Sequence, residues 1–361
     1  MTTSEKSMQL LEGKSVLITG ATGSLGKVLL RRLLTGEMGR PRKIIIFSRD
    51  EAKQHALRLE YKHRPAATDE IIYHNPEEIL DFRIGDVRDF SSIASALRNA
   101  DVVFNTAALK QVPTCEYFPY QAVLTNIAGP ENIVRAIEEL QLPIETVVGI
   151  STDKAAKPVN VMGMTKAIQE RIFIQANLRC PDTRFICVRY GNVLASRGSV
   201  IPLFHEQIRG GGPVTITTPD MTRFLLSLDQ AVDTIFAAVR GAKRGETYIP
   251  RVPSARVVDI AAVLIGGRPI KTVVTGIRPG EKIHEILISE EERYRTVDRK
   301  EWYAILPILP ELRSTESTLG VLTDEYSSAH NVMAPAALGE MMMRHKLMDD
   351  AAAEDTPELL R

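Results

Sequence analysis

Short apolar runs alternate with amphipathic stretches through the first half of the chain. The runs fall at 15–19 (SVLIT), 43–48 (KIIIFS), 81–84, 101–106 (DVVFNT), 145–150 and 184–190 (RFICVRY). They are short and β-rich, as strands buried on both faces are. Between them, apolar residues at helical spacing cover roughly 24–35, 50–62, 90–98, 117–139 and 159–178. Alternating βα units predict the α/β class, a doubly wound parallel sheet with helices on both faces. Pro130 lies inside the fourth helical run, where a missing N–H donor predicts a kink or a restart. After residue 190 the alternation loosens. An amphipathic helix is expected at 227–240, with Leu228, Val232, Ile235, Phe236 and Val239 as its core face, and another at 335–346. An acidic, disordered end follows.

The first strand runs into Gly20-Ala21-Thr22-Gly23-Ser24-Leu25-Gly26 and leaves as an amphipathic run, LGKVLLRRLL. Strand, glycine turn and helix start form the arrangement that seats a dinucleotide pyrophosphate on a helix N-terminus. Gly20 makes the turn, Gly23 admits the phosphate and Gly26 lets helix and strand pack closely. Thr22, Ser24 and Leu25 share the turn and are expected cofactor contacts with the glycines. The second strand ends at Ser48-Arg49-Asp50. An acidic residue there would hold the ribose 2′-OH of NAD, whereas an arginine accommodates a 2′-phosphate. Arg49, with Lys53 one turn on, therefore favours NADP, the alternative being a solvated surface charge. After the third strand come Asp86 and Val87, expected near the adenine, and Asp89, which equally reads as a helix N-cap. The fourth strand enters NTAALKQVP. Small Ala107 and Ala108 leave room for the ribose and nicotinamide, Lys110 stands at the same edge, and Asn126 can reach the site from the following helix.

Composition narrows the class without choosing the chemistry. In 361 residues, Lys+Arg and Asp+Glu both number 45, so no global charge points to nucleic acid or a membrane surface. Cys115, Cys180 and Cys187 lack metal-ligand spacing, so neither a disulfide frame nor a metal site is expected. No apolar run approaches the ~20 residues of a membrane span, and a cytoplasmic protein is expected. The expected organisation is an NADP-binding Rossmann domain at 13–190, with a sheet return around 225–250. An interleaved substrate lobe follows at 191–328, then a terminal helix and tail at 329–361. A charged excursion at 61–80 reads as a surface loop or a partner contact.

The fifth strand ends in Ser151-Thr152-Asp153-Lys154, and a helix carrying Met162 and Lys166 follows. Strand carboxyl ends are where open α/β sheets bind ligands. Met162 and Lys166, four apart, share a helix face. In short-chain dehydrogenases that pair is usually Tyr and Lys, but a thioether exchanges no proton. Either the chain only senses cofactor, or Asp153 and Lys154 supply the acid and base.

Together TGATGSLG, IIIFSRDE, GDVRD, NTAALKQVP, STDKAAKPVNVMGMTK, RYGNVLASRGSVIP, MTRF, RPGEKIHE and EYSSAHNV span residues 13–328 or so. In these motifs the chain resembles the UDP-N-acetylglucosamine 4,6-dehydratases of polysaccharide biosynthesis, in the extended short-chain dehydrogenase/reductase superfamily. It is similar to their short, soluble form. Soluble C5-inverting members usually carry tyrosine at Met162; methionine is more like the C5-retaining members, so retention is expected.

The resemblance implies that bound NADP takes hydride from C4 of a UDP-sugar and returns it to C6. Lys154, its pKa lowered by Lys166 and burial, would remove the C5 proton. A protonated Asp153 would serve the departing C6 hydroxyl. Thr152 would bond the C4 oxygen and Lys166 the nicotinamide ribose. Arg223, Arg251 and Arg278 suit the diphosphate. Glu281 suits a ribose hydroxyl, and Asn192 and Lys110 the sugar side. A homo-oligomer is expected. Two other readings stay open: a 4-epimerase, which needs no acid at C6, and a non-catalytic NADP sensor.

Overall fold

The computed structural model describes residues 9–62, 76–194, 199–313 and 321–348. Ser15–Thr19 (β1), Lys43–Ser48 (β2), Leu80–Ile84 (β3), Val102–Asn105 (β4), Thr146–Thr152 (β5) and Arg184–Tyr190 (β6) are the strands of the apolar runs. Thr247–Pro250 (β7), Thr296–Arg299 (β8) and Trp302–Ile305 (β9) complete the sheet among the described residues. Its order is β8-β9-β7-β6-β5-β4-β1-β2-β3. From β3 to β7 every pairing is parallel. Thus the expected doubly wound parallel sheet is what forms, closed at one edge by an antiparallel hairpin, β8–β9. That hairpin comes from the stretch expected to form the substrate lobe. The strand order reverses between β1 and β4, and ligands bind outside the carboxyl ends of strands at such a point.

Period-two alternation divides the core. Val16 and Ile18 of β1 face helix Ser24–Leu34 (α1), with Leu29, Leu30 and Leu33, and a helix at Leu228–Gly241. Leu17 faces the other way, toward Phe90–Leu97, Gly129–Leu140 and Phe173 of Val161–Arg179. Each such side chain taken fully from water contributes about 1.5–3 kcal/mol, so both helix layers are anchored by the strands between them. A separate apolar core with Phe204, Ile260, Leu338 and Met342 underlies the later segments.

The helix expected across 117–139 is broken. Val112–Tyr117 and Pro119–Val123 are short helices, Leu124–Ala128 is a π turn, and Gly129 restarts the helix with Pro130 in its first turn. A proline is tolerated there because the first-turn N–H groups have no partner within the helix. Asp89 proves to be an N-cap, accepting from the Ser92 N–H. Among the described residues no helix is long and apolar enough to cross a membrane. Residues 63–75 of the charged excursion, 195–198 of the GNVLASRGSVIP motif and the acidic end at 349–361 lie outside the described residues.

Candidate active site

The glycine turn after β1 has the shape its spacing required. Gly20 has φ +67°, and a Cβ there would stand 2.9 Å from the Ala107 backbone; one at Gly26 would stand 2.6 Å from Ala21. Neither contact is possible for a side chain, so both positions need glycine. Gly23 is exposed and is the N-cap of α1, with no side chain capping it. The helix start is thus open to an anion, flanked by Thr22, Ser24 and Leu25. The β4 end is tied to this turn: the Thr19 hydroxyl donates to Asn105 and accepts from the Ala107 N–H.

At the β2 end, Ser48 is fixed by Gln54, whose amide donates to its carbonyl and hydroxyl. Arg49 is half exposed and lies 3.8 Å from Asp86. Burial opposes ionisation of Asp86, but Arg88 and then Arg49 hold its carboxyl below the ordinary range. Lys53 pairs with Asp50 at 2.8 Å. Val87 is buried, Ala108 lies beyond the β4 end, and Lys110 is exposed. The Asn126 amide bonds both the N–H and the carbonyl of Leu109 and donates to Thr165. Fully buried in the π turn, it clamps the β4 loop, one of the expected cofactor contacts, to helix Val161–Arg179.

Beyond β5 the charges converge. Asp153 is fully buried, and Lys154 Nζ lies 3.0 Å from its Oδ1 and 3.1 Å from Oε1 of buried Glu285. The Thr152 hydroxyl, expected to bond a substrate oxygen, donates here to Asp153 Oδ1. Asp153 Oδ2 and Glu285 Oε2 are buried without hydrogen-bond partners. Buried polar atoms are rarely left so, which marks these two. Burial pushes the Asp153 carboxyl upward; Lys154 opposes this and Glu285 adds to it. For Lys154 the expected lowering is reversed. Burial does favour the neutral amine, but Asp153 and Glu285 outweigh it and raise its pKa. Burial lowers Lys166 instead, to about 8, with its Nζ donating to Gln169, and it lowers Lys282 as well.

The second-half residues divide. Arg223 is buried, its guanidinium donating to the Thr222 and Ile283 carbonyls and lying 3.9 Å from Glu285. Its strand, Thr222–Leu226, is buried throughout, so the charge must find internal acceptors. Arg251 is likewise engaged elsewhere, paired with Asp298 and stacked 4.2 Å over the Tyr303 ring. Arg278 stays largely in solvent, 4.0 Å from Glu281. Asn192 Oδ1 and Glu281 Oε2 are buried without partners. Glu285 was missed as a site residue; its only signal was its place in RPGEKIHE.

Met162 is buried in an apolar nest with Cys115, Ala122, Leu109, Val112 and Val161. Residues 16–307 match the family described as polysaccharide biosynthesis protein. The chain belongs to that family. Two relatives each cover most of the chain. An uncharacterized membrane protein of Methanocaldococcus jannaschii is 42% identical over 305 residues, 81% of this chain and 86% of the relative. A protein of Rickettsia conorii named UDP-glucose 4-epimerase is 42% identical over 297 residues, 81% of this chain and 82% of its own length. The X-ray structure of Pen from Bacillus thuringiensis is similar with TM-score 0.82 and 33% identity, covering 93% of this chain and 99% of Pen.

Proposed function

We propose that the protein is an NADP-dependent nucleotide-sugar 4,6-dehydratase that acts on UDP-N-acetylglucosamine and retains configuration at C5. One observation carries this reading: buried Asp153, with Oδ2 unpartnered, stands beside Lys154 at the end of β5. A C4 oxidation followed by loss of the C6 hydroxyl needs one group at oxygen and another at C5. The glycine turn, with its open helix start, fits a dinucleotide diphosphate, and Arg49 at the β2 end suits a 2′-phosphate. The name of the Rickettsia relative supports a UDP-sugar as substrate.

NADP, when bound, supplies the acceptor for the C4 hydride and the donor that reduces C6. Ionised Asp153, made a stronger base by burial, takes the C4 hydroxyl proton and keeps it for the departing C6 hydroxyl. The Thr152 and Lys154 bonds to Oδ1 fix the carboxyl so that Oδ2 is the oxygen left for exchange. Lys154 removes the C5 proton, which the 4-ketone acidifies, and later returns it. Lys166 holds the nicotinamide ribose, while Arg278 and Asn192 serve the UDP-sugar.

The relatives named UDP-glucose 4-epimerase favour a second reading, a 4-epimerase. That reaction moves no proton at C5 or C6 and leaves Lys154 without a task. NMR of the products from UDP-N-acetylglucosamine and UDP-glucose separates the two. A 4-keto-6-deoxy sugar without NADPH accumulation is the expected result, a C4 epimer with its 6-hydroxyl intact makes the protein an epimerase, and an inverted C5 removes the retention. Tighter binding of NAD(H) than NADP(H) in titration would remove the cofactor assignment.

A further inference from the structure

An ammonium cannot act as a base, and Lys154 sits where it must be one. Its Nζ is wedged between two carboxylates, Asp153 and Glu285, at 3.0 and 3.1 Å. Before it can take a proton from C5 it must pass one to an acceptor within hydrogen-bond reach. Asp153 is engaged: Oδ1 accepts from Thr152, and its proton balance is committed to the two sugar oxygens. Glu285 has no such duty.

The chain goes to some length to place Glu285. Its N–H donates to the Ser328 hydroxyl and its carbonyl accepts from the Ser328 N–H. Ser328 is joined in turn to the Thr222 hydroxyl, which also bonds His284. Strand Ile286–Ile288 pairs with Tyr326–Ser327, which clamps both segments. The charges that bear on the carboxylate are Asp153 and Lys154 from the β5 end, Arg223 from Thr222–Leu226, and Lys282 from its own loop. Among the described residues Lys154 is the charge in direct contact, at 3.1 Å, and Oε2 is buried without a partner.

We propose that Glu285 is the proton acceptor that turns Lys154 into the C5 base, a positioning residue that works through Lys154 and rests on the dehydratase reading. At rest burial opposes ionisation of Glu285, but Lys154 holds its carboxyl below the ordinary range. A proton therefore passes from Nζ to Oε1 only after Asp153 has taken the C4 proton and its charge no longer holds the ammonium. The amine and acid left behind are a neutral pair, which a low-dielectric site tolerates. The amine takes the C5 proton, the C5–H electrons form the C5=C6 bond, and the C6–O bond breaks. Water leaves with the proton from Asp153. When C6 is reduced, Lys154 returns its proton to C5 and Glu285 returns the borrowed proton to Lys154. Arg223 and Lys282 favour that return, because both stabilise the carboxylate. Every group ends as it began.

Single turnover with UDP-N-acetylglucosamine tests this. Glu285→Gln should slow NADP+ reduction only as far as Asp153 loses the charge that helps raise its carboxyl, and far less than it slows elimination. Elimination, read as exchange of the C5 hydrogen with deuterated solvent, should fall about a hundredfold near neutral pH. It should then climb about tenfold per pH unit, since Lys154 must lose its proton to solvent. Glu285→Asp, which keeps an acid, should restore the shallow pH dependence at a reduced rate. Elimination in Glu285→Gln that parallels wild type across pH, or no rescue of the profile by aspartate, would overturn the assignment. Nitrogen NMR of the lysine amines in the NADP-loaded protein guards against misfolding and needs no sugar. Lys154 should titrate at lower pH in Glu285→Gln than in wild type, and an unmoved titration overturns the pairing. If wild type oxidises no UDP-sugar, the dehydratase reading falls and takes the relay with it, while the lysine titration still reports on the pairing.

Discussion

Arg189, buried, and Lys154, half-buried, are both cations set between two carboxylates, yet their surroundings differ. Arg189 gives all five of its N–H bonds to fixed acceptors: two to Glu170, two to Glu292 and one to the Leu287 carbonyl. Ser151 donates to Glu170, and Ser289 and Glu292 form a capping box. Around Lys154, by contrast, Asp153 Oδ2 and Glu285 Oε2 are buried with nothing to bond. A saturated network has one low-energy protonation state and rigidifies what it joins, here helix Val161–Arg179, β6 and the 287–292 segment. An unsaturated one keeps sites where a proton can come and go. The first cluster holds the scaffold together and the second is the one to which the proposed function assigns chemistry, although the strand ends that carry them are neighbours in the sheet.

The largest expected effect breaks the scaffold. Arg189→Met leaves Glu170 and Glu292 buried without their cation, which should cost about 3–5 kcal/mol of stability in urea unfolding. A loss below about 1 kcal/mol would place Arg189 among ordinary surface pairs.

Asp153→Asn comes next and does the reverse. NADP+ reduction and dehydration should both fall by about 10²–10⁴-fold, because an amide exchanges no proton near neutral pH. Its thermal midpoint should hold or rise, since a buried acid with an unsatisfied oxygen is removed. Normal NADP+ reduction in this variant, followed by absorbance, would put the C4 base elsewhere.

Acidification should separate the clusters more gently. Burial would raise the Glu292 carboxyl, but Arg189 and its hydrogen bonds hold it at about 2, against 4.5 unfolded. Its contribution is therefore complete above about pH 5 and is lost as pH falls toward 2. Asp153 is shifted the other way, so its ionised form costs stability at neutral pH and acid relieves that cost. Stability-versus-pH curves of wild type and Glu292→Gln should converge as pH drops below 4.5, and curves that stay parallel would contradict the pairing.

The smallest effect is at Met162, which touches neither cluster. Met162→Leu conserves volume and should cost less than about 1.5 kcal/mol, with the rate of NADP+ reduction unchanged. A large loss of rate would mean that the thioether takes part in the site.

Much of this was legible in the residues themselves. Strands of five to seven residues, helices at 3.6-residue spacing and a glycine turn are local matters, and β1, β2 and β6 begin and end where their apolar runs do. The Gly20 and Gly26 contacts follow from backbone sterics within one βα unit and its neighbouring loop. The Asp153-Lys154 pair announced itself because a strand carboxyl end carried an acid and a base. Other features were hidden. The break at Leu124–Ala128 depends on Asn126 finding Leu109 and Thr165, which no helical period records.

The sequence by itself therefore determined the class of fold, the nucleotide turn and the two residues at the β5 end, since each is set by neighbours a few positions away. Only the tertiary structure decided the protonation of Lys154, the inward turn of Arg223 and the place of Glu285. A charge in water is nearly indifferent to another charge far along the chain, but burial removes the screening. Which buried carboxylate then stands 3.1 Å from the Lys154 amine is settled by how distant strands pack.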